Sequence, residues 1–443
     1  MPVEKRQWFV GLTDSLLIAG TVTNDIANVL GRLSDSSISC LAVQPNYVRS
    51  RAAMMGDANS FGWINLHLIA DAFSRRFAAV IGEPADPGSD TPSLGKLIRT
   101  VGVPGLQALA FGTRDAGDSC LFQLQLNVPE PQRKGLFKIV AAEAKECDPP
   151  PFVPADAVKF YRWRLDLQKA WSGLTNTLTE MFPPASGVIK LLLESAGKDL
   201  DLAFDARTNL IGNLGDDLIS FARNPRTNTL SELKSPPRIL LVGARNADQL
   251  AASLRAVTSI LPTDSTQYHE REFLGRKVYS MTVPNVFQSD MPVFIPGLTY
   301  AAMSNDVVFA NSAGALEEYL QSTEATGKSL REMPGLTQAA QKVGGMRSGL
   351  FGFDNQRESL RTALELLKQD PRWLAECVGR WPLATPFGLT DAVDQFQRHF
   401  DFSLLPPFEK ISRHFHFAVY SGSVTAEGFT FKTFFPAAPD ERK

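Results

Sequence analysis

Residues 9–30 read FVGLTDSLLIAGTVTNDIANVL, and residues 300–320 read YAAMSNDVVFANSAGALEEYL. Both open on an aromatic, pass through small residues and a polar pair, and run through an apolar triplet into a helical pattern. Leu16, Leu17 and Ile18 lie over Val307, Val308 and Phe309; after a one-residue slip, Ile26 and Leu30 lie over Leu316 and Leu320. β-branched and aromatic residues around the Thr13-Asp14 turn predict strand structure over Trp8–Gly20. Apolar residues at helical spacing predict the helix that follows, with Thr23 or Asn24 as its cap.

The correspondence extends outward. Pro45 in LAVQP matches Pro334 in LREMP, each opening a helix, and FGWINL at 61–66 matches LFGFDN at 350–355. A third relative, RWRLDL at 162–167, lies between them. Asn65, Asp166 and Asp354 stand where strand gives way to helix, and short polar side chains there are expected as helix caps. Both stretches close on a hairpin of alternating apolar residues, then Pro129 or Pro436 and a charged tail. Duplication is the expectation, with Trp8–Lys134 matching Tyr300–Lys443 in order.

The second stretch has a strand at Ile239–Val242, a helix carrying Ala247, Leu250, Leu254 and Val257, and a hairpin turning at Gly275 before it. Nothing equivalent precedes Trp8. The expectation is that the chain starts inside a domain, that the natural product extends upstream, and that a strand edge near residues 4–12 is left open. The expected fold is α+β: two related strand–helix units with mixed or antiparallel sheets, at 1–135 and 236–443, joined by a mainly helical segment at 136–235.

At 443 residues the chain is long enough for more than one core. Its 45 basic and 47 acidic residues are evenly spread, so it lacks the basic stripe that nucleic acid or an anionic membrane would attract. No apolar run approaches the roughly 18 residues of a transmembrane helix. The four cysteines (Cys40, Cys120, Cys147 and Cys377) are far apart, without a CxxC, and read as small core residues.

Chemical motifs are sparse. GKS at 327–329 lacks the earlier glycine of a phosphate loop and reads as a solvated loop. Three Ser-x-x-Lys pairs (Ser93/Lys96, Ser195/Lys198 and Ser231/Lys234) lack the KTG that accompanies them in acyl-transfer enzymes. His414 and His416, in HFHF, would share one face of a strand, with His399 and Asp401 nearby; they are the candidate metal ligands. The matching strand of the first stretch, Leu106–Ala110, has no histidine, so an exposed polar face is the expected reading. Asp199, Asp201, Asp205, Asp216 and Asp217 lack the EF-hand pattern; DLDLAF reads as a strand with a wet face, and the group as caps and turns.

ILLVGARNADQLAASL, then GRKVYSMTV, then YAAMSNDVVFANSAGALEEYL, with DARTNLIGNLGDDLISF between the two copies, resemble a family of uncharacterised bacterial exported proteins with a domain of unknown function. The resemblance implies an α+β fold and an export signal, which MPVEKRQWFVGL does not supply, and it carries over no catalytic residue. The expected function is therefore a non-catalytic structural or binding protein of the envelope or periplasm, or a cytoplasmic one if no upstream signal exists. No cofactor is expected, and the partner is a protein or a second copy. The alternative is a metal- or carboxylate-dependent hydrolase.

Overall fold

The computed structural model describes residues 7–13, 16–35, 40–54, 56, 58–76, 94–198, 201–258, 267–282, 298–322, 327–379 and 389–438. Its contacts divide the chain into two compact units, Met1–Asp57 and Ala58–Lys443. In the first, β1 (Phe9–Leu12) and β2 (Leu17–Gly20) form an antiparallel hairpin that leads into the helix Thr23–Ser34. That helix begins after Val22 without a side-chain cap, so neither Thr23 nor Asn24 takes the expected role. Ile26 is its buried residue and approaches Gly11, where a Cβ would stand 3.0 Å away. Pro45 opens the next helix, Pro45–Met54, as its fixed φ favours.

In the second unit, thirteen strands form one sheet: β3 (Ser60–Asn65), β4 (Ala108–Ala116), β5 (Ser119–Asn127), β6 (Lys159–Trp163), β7 (Leu214–Ala222), β8 (Arg238–Ala244), β9 (Gln267–Phe273), β10 (Arg276–Thr282), β11 (Leu298–Ala302), β12 (Asp306–Ala310), β13 (Leu350–Asp354), β14 (Ala418–Val424) and β15 (Gly428–Phe435). Across the sheet they run β3-β4-β5-β15-β14-β13-β6-β7-β8-β12-β11-β10-β9. Every pairing is antiparallel. The fold is α+β, as the sequence predicts.

The expected boundaries at 135 and 235 do not appear in the contacts. β5 pairs with β15 from Cys120↔Phe435 to Asn127↔Gly428 and so joins the two ends of the chain into one sheet. The segment 136–235 does carry helices, Leu167–Met181 and Ala185–Ser195 among them, but it also supplies β6 and β7 to the middle of the sheet. The order hairpin, helix, 3-10 turn, helix, strand, helix runs from Phe9 to Arg76 and again from Leu298 to Gln369; the helices and turns between there and the closing hairpins differ.

Cross-strand rows build the core. One runs Phe353, Phe160, Phe221, Ile239, Ala310; the next runs Phe351, Arg162, Ile219, Leu241, Val308, Ala301, Val278. Apart from Arg162 these residues are buried in one cluster, covered by Leu316, Tyr319 and Leu320 of the helix Ala313–Ser322 and by Leu336, Ala339 and Ala340 of the helix Leu336–Lys342. On the reverse face, Leu250 and Ala251 of the helix Ala247–Thr258 pack on Tyr279, Tyr300 and Val307. Burial pushes the Cys147 thiol up to about 11, so this cysteine is a protonated core residue, whereas Cys377 is exposed.

Candidate functional site

The second core row contains one charge, Arg162, and the positions one step beyond it on the same face include Arg164, Asp217 and Asp306, with Gly243 between the two acids. The origin of this arrangement is a bulge between β7 and β8. Leu214 pairs with Ala244 and Leu218 with Val242, so Gly215, Asp216 and Asp217 together oppose Gly243 alone. Such bulges re-aim side chains and recur beside functional sites. Two glycines permit this one: a Cβ on Gly215 would stand 2.7 Å from the Gly243 backbone, and one on Gly243 would stand 3.2 Å from Asp217 Cβ. Asp217, two residues before Ile219, stays on the core face of β7, because alternate residues of a strand share a face.

Asp217 accepts from Arg162 Nε at 3.0 Å, Arg162 Nη2 at 2.6 Å and Arg164 Nη1 at 3.0 Å. All three side chains are at most 20% exposed, so these are shielded, charge-assisted hydrogen bonds. Asp216 accepts from Arg164 Nη2 at 3.1 Å and Lys145 Nζ at 2.8 Å. The Lys145 hydrogen bond holds the Asp216 carboxyl below its ordinary range. Asp148 receives Arg331 and stands 3.7 Å from Arg162 Nη1. Gln168 Nε2 donates to Gly212 O at 3.0 Å and Leu214 O at 2.7 Å, tying the helix Leu167–Met181 to the strand just before the bulge.

Arg162, Arg164, Asp216, Asp217, Gln168 and Arg331 line a cleft of about 910 Å³, which Asp306, Arg245, Asp166 and Lys169 complete, with Lys145 and Asp148 behind them. Asp306 opens β12 directly opposite Gly243. Burial, and then the neighbouring Asp217 charge, push its carboxyl up. Among the described residues neither the Asp306 carboxyl nor the Arg245 guanidinium has a side-chain partner.

The candidate histidines do not form a ligand set. Ser412–His414 is a 3-10 turn, and β14 begins only at Ala418, so the shared strand face expected for His414 and His416 does not exist. His414 Nε2 meets Arg413 Nε at 3.2 Å. His416 lies against Phe417, and burial followed by the Arg357 charge lowers its pKa. His399 ends the helix Leu389–His399, its Nδ1 2.7 Å from Gln395 O. Among the described residues, no group of three or more His, Cys, Asp or Glu is placed to hold a metal ion.

The other candidates fall into structural roles. Asn65 and Asp166 cap as expected, accepting from Leu68 N at 3.0 Å and Lys169 N at 2.9 Å. In the third case Asn355 is the cap, and Asp354 takes the Ser359 hydroxyl instead. Asp201 and Asp205 serve a turn and a short helix, so the described part of DLDLAF, residues 201–204, is not a strand; Asp199 and Ser93 lie outside the described residues. Lys198 donates to Leu202 O and Phe204 O, while Lys234 is held by Asp370, which raises its pKa. Ser329 is buried and caps a 3-10 turn, not a solvated loop. The residues that do converge, Arg162, Arg164, Asp216 and Asp217, carried one sequence signal: two arginines two apart, one near the end of β6 and one just past it.

No helix among the described residues is long and apolar enough to cross a membrane. No family model, no curated protein and no solved structure matches this chain.

Proposed function

We propose that this chain is a non-catalytic binding protein of the cell envelope whose charged cleft takes a small zwitterionic ligand. The contrast inside the cleft supports this reading. Asp216 and Asp217 are ion-paired to Lys145, Arg162 and Arg164, whereas Asp306, within reach of the Arg162 and Arg164 charges, and Arg245 form no side-chain ion pair or hydrogen bond among the described residues. A carboxylate that receives several hydrogen bonds from guanidinium groups is a scaffold, since breaking those bonds to bind a ligand costs more than it returns. A shielded carboxyl without a partner is unfavourable when ionised, and a ligand ammonium beside Asp306 removes that cost. The anionic end of the same ligand meets Arg245. The envelope assignment rests on the resemblance to exported proteins, and the recurring element order supports reading the two stretches as copies of one unit.

A carboxylate-dependent hydrolase is the second reading. It is favoured by Asp306, whose carboxyl is raised while that of Asp216, in the same cleft, is lowered, the divergence that separates a general acid from an ionised partner. Thermal shift with amino acids, their N-acetyl forms and their amides tests the binding reading. Intact zwitterions are expected to raise Tm more than either singly charged derivative, and Asp306→Asn to abolish the difference. Equal shifts for all three forms sink it. Turnover of ester, amide or glycoside substrates that disappears in Asp306→Asn would establish the hydrolase instead.

A further inference from the structure

β6, β7 and β8 end in a second cavity, at the termini remote from the bulge. It measures about 500 Å³, within the span of small-molecule sites. Its walls are apolar: Leu233, Leu360 and Leu366, closed by Trp373 and Phe415. Its floor is a single cross-strand row, Asp354–Lys159–Ala222–Arg238. Residues directly opposite one another share a face, and neighbours along a strand alternate. This row therefore projects to the side opposite the buried Phe353, Phe160, Phe221 and Ile239.

The cations around the cavity divide into two kinds. Lys234 is held by Asp370 at 2.7 Å and Glu376 at 3.2 Å, and Arg223 by Glu318 and Asp156. Lys159 and Arg238, on either side of the small Ala222, make no side-chain ion pair or hydrogen bond among the described residues. Asp354, the acid of the row, accepts the Ser359 hydroxyl at 2.6 Å. Asn224 Oδ1, also in the lining, is shielded from solvent without a partner there.

We propose that this cavity binds a long-chain carboxylate, with the chain against Leu233, Leu360, Leu366 and Trp373 and the carboxylate between Lys159 and Arg238. Apolar walls recover the transfer free energy of the chain, and the two unpaired cations of the floor row fix where the carboxylate sits. The charged cleft takes no part, so this proposal and the zwitterion reading stand or fall separately.

Titration of the full chain with laurate, dodecanol and dodecylammonium, followed by calorimetry and by tryptophan fluorescence, tests it. Laurate is expected to bind one-to-one and about tenfold more tightly than dodecanol, the scale of a charge-assisted contact, with dodecylammonium weakest. In the double variant Lys159→Gln/Arg238→Gln the laurate preference should vanish while dodecanol binding stays. Equal affinity for laurate and dodecanol, uptake without a defined stoichiometry, or a preference that survives in the double variant overturns the proposal. The three-ligand series on the unaltered protein decides the matter even if the double variant does not fold.

Discussion

The two ends of β6, β7 and β8 are built from the same three strands and have opposite chemistry. At one end Arg162, Arg164, Asp216, Asp217 and Asp306 crowd a bulge; at the other Lys159 and Arg238 stand over apolar walls. Sheet geometry is the reason. At the bulged end, the positions two residues before Ile219 and Val308 on the same face are Asp217 and Asp306, and both line the cleft. The shielded Asp217 is paired with Arg162 and Arg164, while Asp306 forms no ion pair among the described residues. At the other end, the cavity sits on the reverse face, where the helix Gln356–Gln369 brings its own leucines. One end thus holds fixed charges with little apolar surface, and the other holds apolar surface with two unpaired cations.

Five substitutions would break or sharpen this contrast. Asp217→Ala leaves Arg162 and Arg164 shielded without their shared acceptor, and should cost about 3–5 kcal/mol in urea unfolding. A loss below about 1 kcal/mol would mean the pairs behave like exposed ones. Leu366→Ala, 2% exposed in the native chain, should cost about 2–5 kcal/mol and leave ligand shifts at the charged cleft unchanged. Coupled changes at both ends would show that they do not act independently. Gly215→Ala forces its Cβ against the Gly243 backbone and should cost about 1–3 kcal/mol, with loss of the bulge visible by crystallography.

The smallest effect is a gain. Asp306 has a carboxyl raised in the folded state, so the native protein holds that proton more tightly than the unfolded chain. Stability from this group falls as pH rises from the ordinary aspartate value, about 3.9, through the raised one. Asp306→Asn should therefore raise Tm at neutral pH and leave it unchanged below that window. Asp216, held low by Lys145, has the opposite sign: its contribution is full above the ordinary value and disappears as pH falls through the lowered one. Melting curves across pH for the two Asn variants check both signs, and parallel curves would contradict them.

Local patterns were legible in the sequence wherever neighbouring residues decide the structure. The hairpin closing at Gly275 forms with Leu274 and Gly275 both at positive φ, as a tight turn requires. Pro45 opens its helix, Asn65 and Asp166 cap theirs, and Ile239–Val242 is a strand followed by the helix bearing Leu250. HFHF misled because alternation suggests a strand only when a neighbouring strand is there to pair with it; His414 instead falls in a 3-10 turn. Asp216 and Asp217 looked like turn residues because their cationic partners are distant in sequence: Arg162 is 55 residues from Asp217 and Lys145 is 71 from Asp216.

By itself the sequence determined the α+β class and many of the local turns, caps and helix starts, because periodicity and capping act over a few residues. Only the tertiary structure decided that β5 pairs with β15, that β6 and β7 enter the middle of one sheet, and that a bulge turns two ordinary aspartates into the centre of a cleft. Those outcomes depend on which distant strands come into register, and register is set by the packing of whole faces, which no local stretch encodes.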